Sequence, residues 1–304
     1  MKDSDPYHIP VLLSEAMDGL NIRSNGVYVD CTFGGGGHST EILSRLNNDG
    51  KLFGFDQDAD AKRNSLQDKR FVFIPHNFRH LQRFLRLNGI SSVDGILADL
   101  GVSSHQFDEP TRGFSTRSDA NLDMRMDNRQ SVTAETVLNS YSEEKLQTMF
   151  SRYGEVTNAK TLAKAIVAFR NKTPFRTINA FKLALAGLVK GNPNKYFAQV
   201  FQALRIEVND ETAALREMLL QVPSLLNPGG RVVIISFHSL EDRIVKQFFR
   251  DGDFEEKDEQ DLFGTASSKT LLRALTKKPV GPSEKELAVN PRARSAKLRI
   301  AEKI

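Results

Sequence analysis

The run Val29-Asp30-Cys31-Thr32-Phe33-Gly34-Gly35-Gly36-Gly37-His38 has the residue types of a loop that lets a ligand reach the backbone. Four consecutive glycines place no side chain in the way and accept conformations closed to other residues. Asp56 follows 19 residues after Gly37, a position from which an acid at a strand end accepts hydrogen bonds from both hydroxyls of a ribose. Asp99, in Ala98-Asp99-Leu100-Gly101, stands where an open α/β sheet meets its ligand, outside the carboxyl ends of its strands. The plain alternatives are a flexible turn, a surface acid and a turn-capping acid. All three features falling at strand ends of one unit speaks against them.

Two ligands fit a glycine loop followed by such an acid. A nicotinamide dinucleotide needs a spaced GxGxxG loop with its pyrophosphate on a helix N-terminus. Here the glycines are contiguous, and Asp30 before them would repel a pyrophosphate. That carboxylate suits the cationic amino-acid portion of S-adenosylmethionine, so the methyl donor is favoured. An NAD-binding oxidoreductase on the same fold, or another class I methyltransferase, stays as the alternative.

The elements that must hold these residues are short. Gly26–Cys31, Lys51–Phe55, Arg70–Pro75 and Val93–Leu100 are apolar runs rich in β-branched and aromatic residues, which predicts four strands. Ser39–Leu46, Ala59–Leu66 and Phe78–Leu87 have helical spacing. Strands alternating with helices imply a parallel sheet with right-handed crossovers. Arg231–Phe237 reads as a fifth strand after a sharp turn at Asn227-Pro228-Gly229-Gly230. A helix capped by Ser239, with Asp242 three residues on, follows it. The last strand is Ala296–Ala301.

Between residues 105 and 212 the alternation stops. Ala134–Leu138, Glu143–Phe150, Ala159–Phe169, Ile178–Leu188 and Phe197–Glu207 all read as helices. The expectation is a discontinuous α/β domain, residues 1–104 and 213–304, interrupted by an all-helical insertion, residues 105–212. Phe249–Gly264 is acidic, poorly patterned and reads as a mobile surface loop.

The 304 residues carry 42 Lys or Arg and 38 Asp or Glu, so the net charge of +4 is too small to indicate a disordered chain. It conceals two basic tracts. Arg152–Arg205 has ten Lys or Arg against Glu155 alone; Thr265–Ile304 has ten against Glu284, Glu286 and Glu302. Asp251–Asp261, with seven acids and one lysine, offsets them. Two separated basic tracts favour phosphate contact over a merely solvated face, and Lys164, Lys172 and Lys182 are chosen to test it.

One cysteine excludes a disulfide framework, and the six histidines form no ligand-spaced cluster, so no metal is expected. No membrane partner and a cytoplasmic location are expected from the absence of a long apolar run or a signal pattern.

In order and at their spacings, several motifs make the chain resemble the small-subunit ribosomal RNA methyltransferase H, or MraW, family nearly end to end. They include HIPVLL at 8–13, TFGGGGHS at 32–39, DGILADLGVSS at 94–104, RGFS at 112–115 and LDMRMD at 122–127. FQALRIEVNDE at 201–211, IISFHSLEDRIVK at 234–246 and NPRARSAKLR at 290–299 complete the set. The resemblance implies a Rossmann-like class I S-adenosylmethionine-dependent methyltransferase fold, α/β with an inserted all-helical domain, the first catalytic and the insertion recognising substrate. It implies N4-methylation of a cytidine in the decoding region of 16S rRNA, with the small ribosomal subunit as partner; a homodimer is compatible with it. The family's cofactor positions fall on Gly36, Gly37, His38, Asp56, Phe78, Asp99 and Gln106. On this reading Phe78 packs near the adenine, while Asp99 and Gln106 flank the methyl-transfer centre, Asp99 orienting the amine. Many relatives have Gly where this chain has Cys31, and Gly-Pro where it has Ala120-Asn121.

Overall fold

The computed structural model describes residues 10–254 and 270–304. It divides into two compact units, Met1–Gly101 with Ala213–Ile304, and Val102–Thr212.

The first unit holds a seven-stranded sheet in the order β3-β2-β1-β4-β5-β7-β6. Its first half runs α1 (Leu13–Leu20), β1 (Val27–Asp30), α2 (Gly37–Arg45), β2 (Lys51–Phe55), β3 (Phe71–Ile74), α3 (Leu81–Leu87) and β4 (Val93–Asp99). After the second unit's α4 (Ser104–Asp108), α5 (Ala134–Ser140), α6 (Glu143–Gly154), α7 (Ala159–Arg170), α8 (Ile178–Leu185) and α9 (Pro193–Asn209) comes α10 (Glu211–Leu225). Then follow β5 (Leu226–Ser236), α11 (Ser239–Asp251), β6 (Leu272–Ala274), α12 (Glu284–Val289) and β7 (Lys297–Lys303). Strands β1 to β5 pair in parallel, and β7 alone runs antiparallel to both its neighbours. This is a doubly wound α/β arrangement.

Alternation along each strand divides the core between two faces. Tyr28, Leu52, Leu97 and Val233 pack with Ala16, Met17 and Leu20 of α1 and Ile42 of α2. Val29, Phe53, Ile96 and Ile234 pack with Leu85 of α3, Met218 and Val222 of α10 and Phe248 of α11. With helices on both sides, the C-terminal ends of β1, β2 and β4 form one edge of the sheet.

Several local expectations are corrected. Ala59–Asn64 is a 3-10 helix, started by the Asp58 side chain, rather than a longer α-helix. Phe78–His80 is likewise a 3-10 turn before α3. The Pro-Gly-Gly turn lies inside β5: the pairing steps from Val93↔Leu226 to Gly95↔Arg231, so Asn227–Gly230 bulges opposite Asp94. His238, not Ser239, caps α11, its Nδ1 accepting the Glu241 N–H at 3.4 Å. Phe249, expected in a loop, is buried in α11. The rest of the expected mobile loop, from residue 255 on, lies outside the described residues, as does most of the acidic stretch.

The second unit is helical, with one isolated bridge, Asn121↔Thr177, among its described residues. Thr133, Ser142, Thr177 and Asn192 cap α5, α6, α8 and α9 with their side chains, and Pro193 occupies the first turn of α9. Leu146, Phe150, Leu162, Ile166, Phe181, Val200 and Leu204 form its apolar centre. The irregular LDMRMD segment is held by buried Asn209, whose Oδ1 accepts the Met126 N–H at 2.7 Å and whose Nδ2 donates to the Met124 carbonyl at 2.8 Å. No helix among the described residues is long and apolar enough to cross a membrane.

Candidate active site

The glycine loop leaves β1 and is stitched at once to its neighbour, the Phe33 N–H donating to the Phe55 carbonyl at 2.9 Å. Gly34 and Gly36 hold φ of 48° and 77°, the left-handed region where a side chain is strained. A Cβ on Gly37 would lie 2.3 Å from Pro10 Cγ, so the loop is also closed against the N-terminal segment. Gly36 precedes α2, and no side chain caps that helix.

Three carboxylates gather at the sheet edge. Asp30, only 1 % exposed, accepts the Ser39 hydroxyl at 2.7 Å and the Thr32 N–H at 3.0 Å. It is engaged inside the protein, anchoring the start of α2, rather than presented bare. Asp56 follows β2 directly; its Oδ2 accepts the Gly34 N–H at 2.8 Å and its Oδ1 the Asp58 N–H at 2.8 Å. Burial pushes Asp56 up to about 7, against the pull of those two N–H groups. Each oxygen keeps a second lone pair, so the carboxylate can still receive a pair of hydroxyls.

Asp99 ends β4, its backbone N–H donating to the Thr32 hydroxyl at 2.7 Å. Its Oδ1 is buried with no hydrogen-bond partner among the described residues, while Oδ2 lies 3.9 Å from His38 Nδ1. Burial, then the charges of Asp30, Glu241 and Glu286, hold this carboxyl well above the usual carboxylate range. His38 is itself buried, its Nε2 3.0 Å from the Val11 carbonyl. A carbonyl only accepts, so Nε2 carries the proton and Nδ1 the lone pair. Burial lowers the imidazole's pKa, against the nearby Asp30.

Phe78 begins the turn after β3 and packs, half-buried, on the core. Asn77 beside it donates to Gln57 Oε1 at 2.8 Å, tying this turn to the residue after Asp56. The structure therefore brings Gly36, Gly37, His38, Asp56, Phe78 and Asp99 to one edge of the first unit. Gln106 belongs to the second unit, where it is buried at the start of α4. Its Oε1 accepts the Ser103 N–H at 3.1 Å and its own N–H donates to the Ser103 hydroxyl at 3.2 Å. Cys31 is buried, and burial drives its thiol well above the usual range, so no thiolate is on offer.

Sequence reasoning missed the Thr32 hydroxyl under Asp99, the Val11 carbonyl behind His38, and Asn64, whose amide donates to the Gly34 carbonyl at 3.0 Å. Thr32 sits in the glycine motif and had a local signal; the other two depend on contacts between distant segments and had none. Among the basic residues, Lys160, Lys164, Lys172, Arg176, Lys190 and Lys195 are exposed. Lys182, expected among them, is half-buried, donating to the Thr116 carbonyl at 2.9 Å and lying over the Phe197 ring. Arg299 is likewise structural, paired with Asp242 at 2.6 Å.

Residues 5–304 match the MraW methylase family model. The chain is 54 % identical over 303 residues to a ribosomal RNA small subunit methyltransferase H of Bacteroides thetaiotaomicron, covering 99 % of each chain. It is 54 % identical over 301 residues to the protein of the same name from Flavobacterium johnsoniae, covering 98 % of each. Among solved structures, a putative rRNA methylase from Clostridium thermocellum aligns over 98 % of this chain and 100 % of its own, with TM-score 0.42 and 11 % identity.

Proposed function

The chain belongs to the MraW methylase family, and from that premise we propose that it methylates N4 of a cytidine in the decoding region of 16S rRNA. At the coarser level it is an S-adenosylmethionine-dependent methyltransferase of small-subunit ribosomal RNA. The observation that carries the finer reading is Asp99: a carboxyl at the acceptor end of β4, with one buried oxygen that no group among the described residues satisfies.

The residues at this edge fit the methyl donor. The left-handed glycines and the uncapped start of α2 leave backbone open to a ligand's amino-acid portion. Asp30, Asp56 and Asp99 together favour a cation and disfavour a pyrophosphate, which sets the dinucleotide alternative aside. When bound, S-adenosylmethionine supplies an electrophilic methyl on a sulfonium cation. The backbone of Gly36, Gly37 and His38 would hold its amino-acid end, Asp56 its ribose hydroxyls and Phe78 its adenine; Gln106 rests on the family resemblance alone.

The protein's own part is positioning, which contributes ~7–11 kcal/mol in well-oriented systems. Asp99 accepts an N–H of the exocyclic amine and turns the nitrogen lone pair toward the methyl donor. No covalent adduct with the base is needed, and the buried Cys31 thiol is unsuited to form one. The exposed cations of the helical unit, with Lys277, Lys278 and Lys285 near the C-terminus, supply phosphate contacts for the RNA. An amine reached in this way must belong to an unstacked base.

The test is methylation of small subunits from a strain lacking the modification, followed by nucleoside mass mapping. N4-methylcytidine in the decoding region is expected. A different methylated nucleoside overturns the reading.

A further inference from the structure

The imidazole of His38 has no role in holding a cofactor through the loop backbone, yet it is built into the site with care. It is 7 % exposed, and its Nε2–H is committed to the Val11 carbonyl at 3.0 Å. The Val11 segment is itself fixed: the Leu12 N–H donates to Glu286 of α12 at 2.7 Å, and Pro10 packs on Gly37. One tautomer is thereby selected, and its Nδ1 lone pair faces Asp99 Oδ2 at 3.9 Å. That gap is about 1 Å longer than a hydrogen bond, and catalytic hydrogen bonds commonly tighten only with substrate in place.

We propose that His38 is a positioning residue acting through Asp99, and that the two form a proton-accepting pair for the acceptor amine. This rests on the methyltransferase reading above. An aromatic amine that gains a methyl must lose a proton. The N–H bond breaks with its electron pair kept by nitrogen, and an O–H bond forms at Asp99 Oδ2. That O–H then donates to the His38 Nδ1 lone pair, so the proton rests on Asp99 while the imidazole stays neutral, with no other reactant required.

The groups facing the pair are consistent with that end state. Burial keeps His38 neutral, and Asp30 at the end of β1 and Glu286 on α12, which face it, offset only part of that lowering. Asp30, Glu286 and Glu241 on α11 face Asp99 and favour its uptake of a proton. Glu241 is itself engaged, accepting the Phe237 N–H at 2.9 Å. In so negative a setting Asp99 retains the proton it accepts, and the Nδ1 lone pair of the imidazole gives the new O–H an acceptor.

The experiment compares wild-type protein with H38Q. Binding of S-adenosylhomocysteine by isothermal titration is expected to change less than about threefold, because the backbone at residue 38 is kept. Single-turnover methylation of small subunits should fall roughly 100-fold, within the span of general acid–base effects, and its rise with pH should move by at least one unit. Nitrogen-15 spectra of the wild-type histidines supply a readout independent of activity: His38 should be neutral at pH 7.5, protonated at Nε2. In D99N the imidazole's titration should shift measurably. Full turnover and an unmoved pH profile in H38Q overturn the proposal. An Nδ1–H tautomer in the wild-type spectra also overturns it, even if H38Q fails to fold. Failure of the wild-type protein to bind S-adenosylhomocysteine strikes instead at the methyltransferase reading.

Discussion

In the α/β unit, Asp30, Asp56 and Asp99 sit at the C-terminal ends of β1, β2 and β4, and burial raises the pKa of each. In the helical unit the interior is built from Phe150, Phe181, Leu162 and their apolar neighbours, while its lysines mostly face solvent. Burying an unpaired charge costs several kcal/mol, so a fold retains one chiefly where something else compensates it. The first unit holds acids inside for a ligand to meet; the second holds cations outside for a polyanion to meet. One is a pocket's electrostatics and the other a surface's, and mutations should separate them.

The largest effect expected is at Asp99. Asp99→Asn removes the acceptor of the amine proton, and single-turnover rates should drop ~10²–10⁴-fold, with S-adenosylhomocysteine affinity little changed. Full turnover with normal affinity would take Asp99 out of the chemistry and reduce the first unit's acids to binding groups.

Gly37→Ala comes next. Its Cβ would meet Pro10 Cγ at 2.3 Å, so either the loop or the N-terminal strap must move. Overpacking of this kind costs about 1–3 kcal/mol, to be read as a lower melting temperature together with weaker S-adenosylhomocysteine binding. An unchanged protein would mean that the strap is not closed against the loop in solution.

Asp56 gives opposite pH trends for stability and binding. Its folded pKa, about 7, lies above the unfolded value, so the folded chain holds a proton that the unfolded chain has released. That stabilisation is complete below about pH 4 and is lost as pH rises through 7. Ribose hydroxyls need the carboxylate, so affinity for S-adenosylhomocysteine should rise with pH and level off above 7, falling about tenfold per unit below it. Titrations between pH 5.5 and 8.5, paired with melting curves, test both trends, and Asp56→Asn should flatten both. Affinity independent of pH in the wild type would remove Asp56 from the ribose site.

The sheet was legible because its strands are apolar runs bounded by polar residues. Lys51–Phe55 is β2 to the residue. Three-residue β6 was not, since only its pairing with β7 makes it a strand. α10 escaped notice although Leu215, Met218, Leu219 and Val222 are buried at helical spacing; Pro223 near its end and the missing cap signal obscured it. In the site, Asp56 and Asp99 announced themselves as acids at strand ends. The Val11–His38–Asp99 line joins three distant segments, and no local pattern encodes which way an imidazole points. Lys182 shows the same limit from the other side: its charge counted toward a basic tract, while its hydrogen bond to Thr116 was invisible.

That residue sharpens the smallest predicted effect. Lys164 and Lys172 are exposed, and reversing either to Glu should weaken rRNA binding only modestly, because each neutralises one phosphate among many. The diagnostic is the salt dependence, whose logarithmic slope should flatten by about 0.7–0.9 for each phosphate no longer neutralised. Lys182→Glu should behave differently. Its ammonium holds the Thr116 carbonyl and covers Phe197, so the variant should lose stability and leave the slope nearly unchanged. Filter binding of small-subunit RNA across a salt series, with melting curves for all three variants, measures both quantities. If K164E and K172E leave the slope intact, the helical unit's cations are a solvated face, and the contrast between pocket and surface fails on its second side.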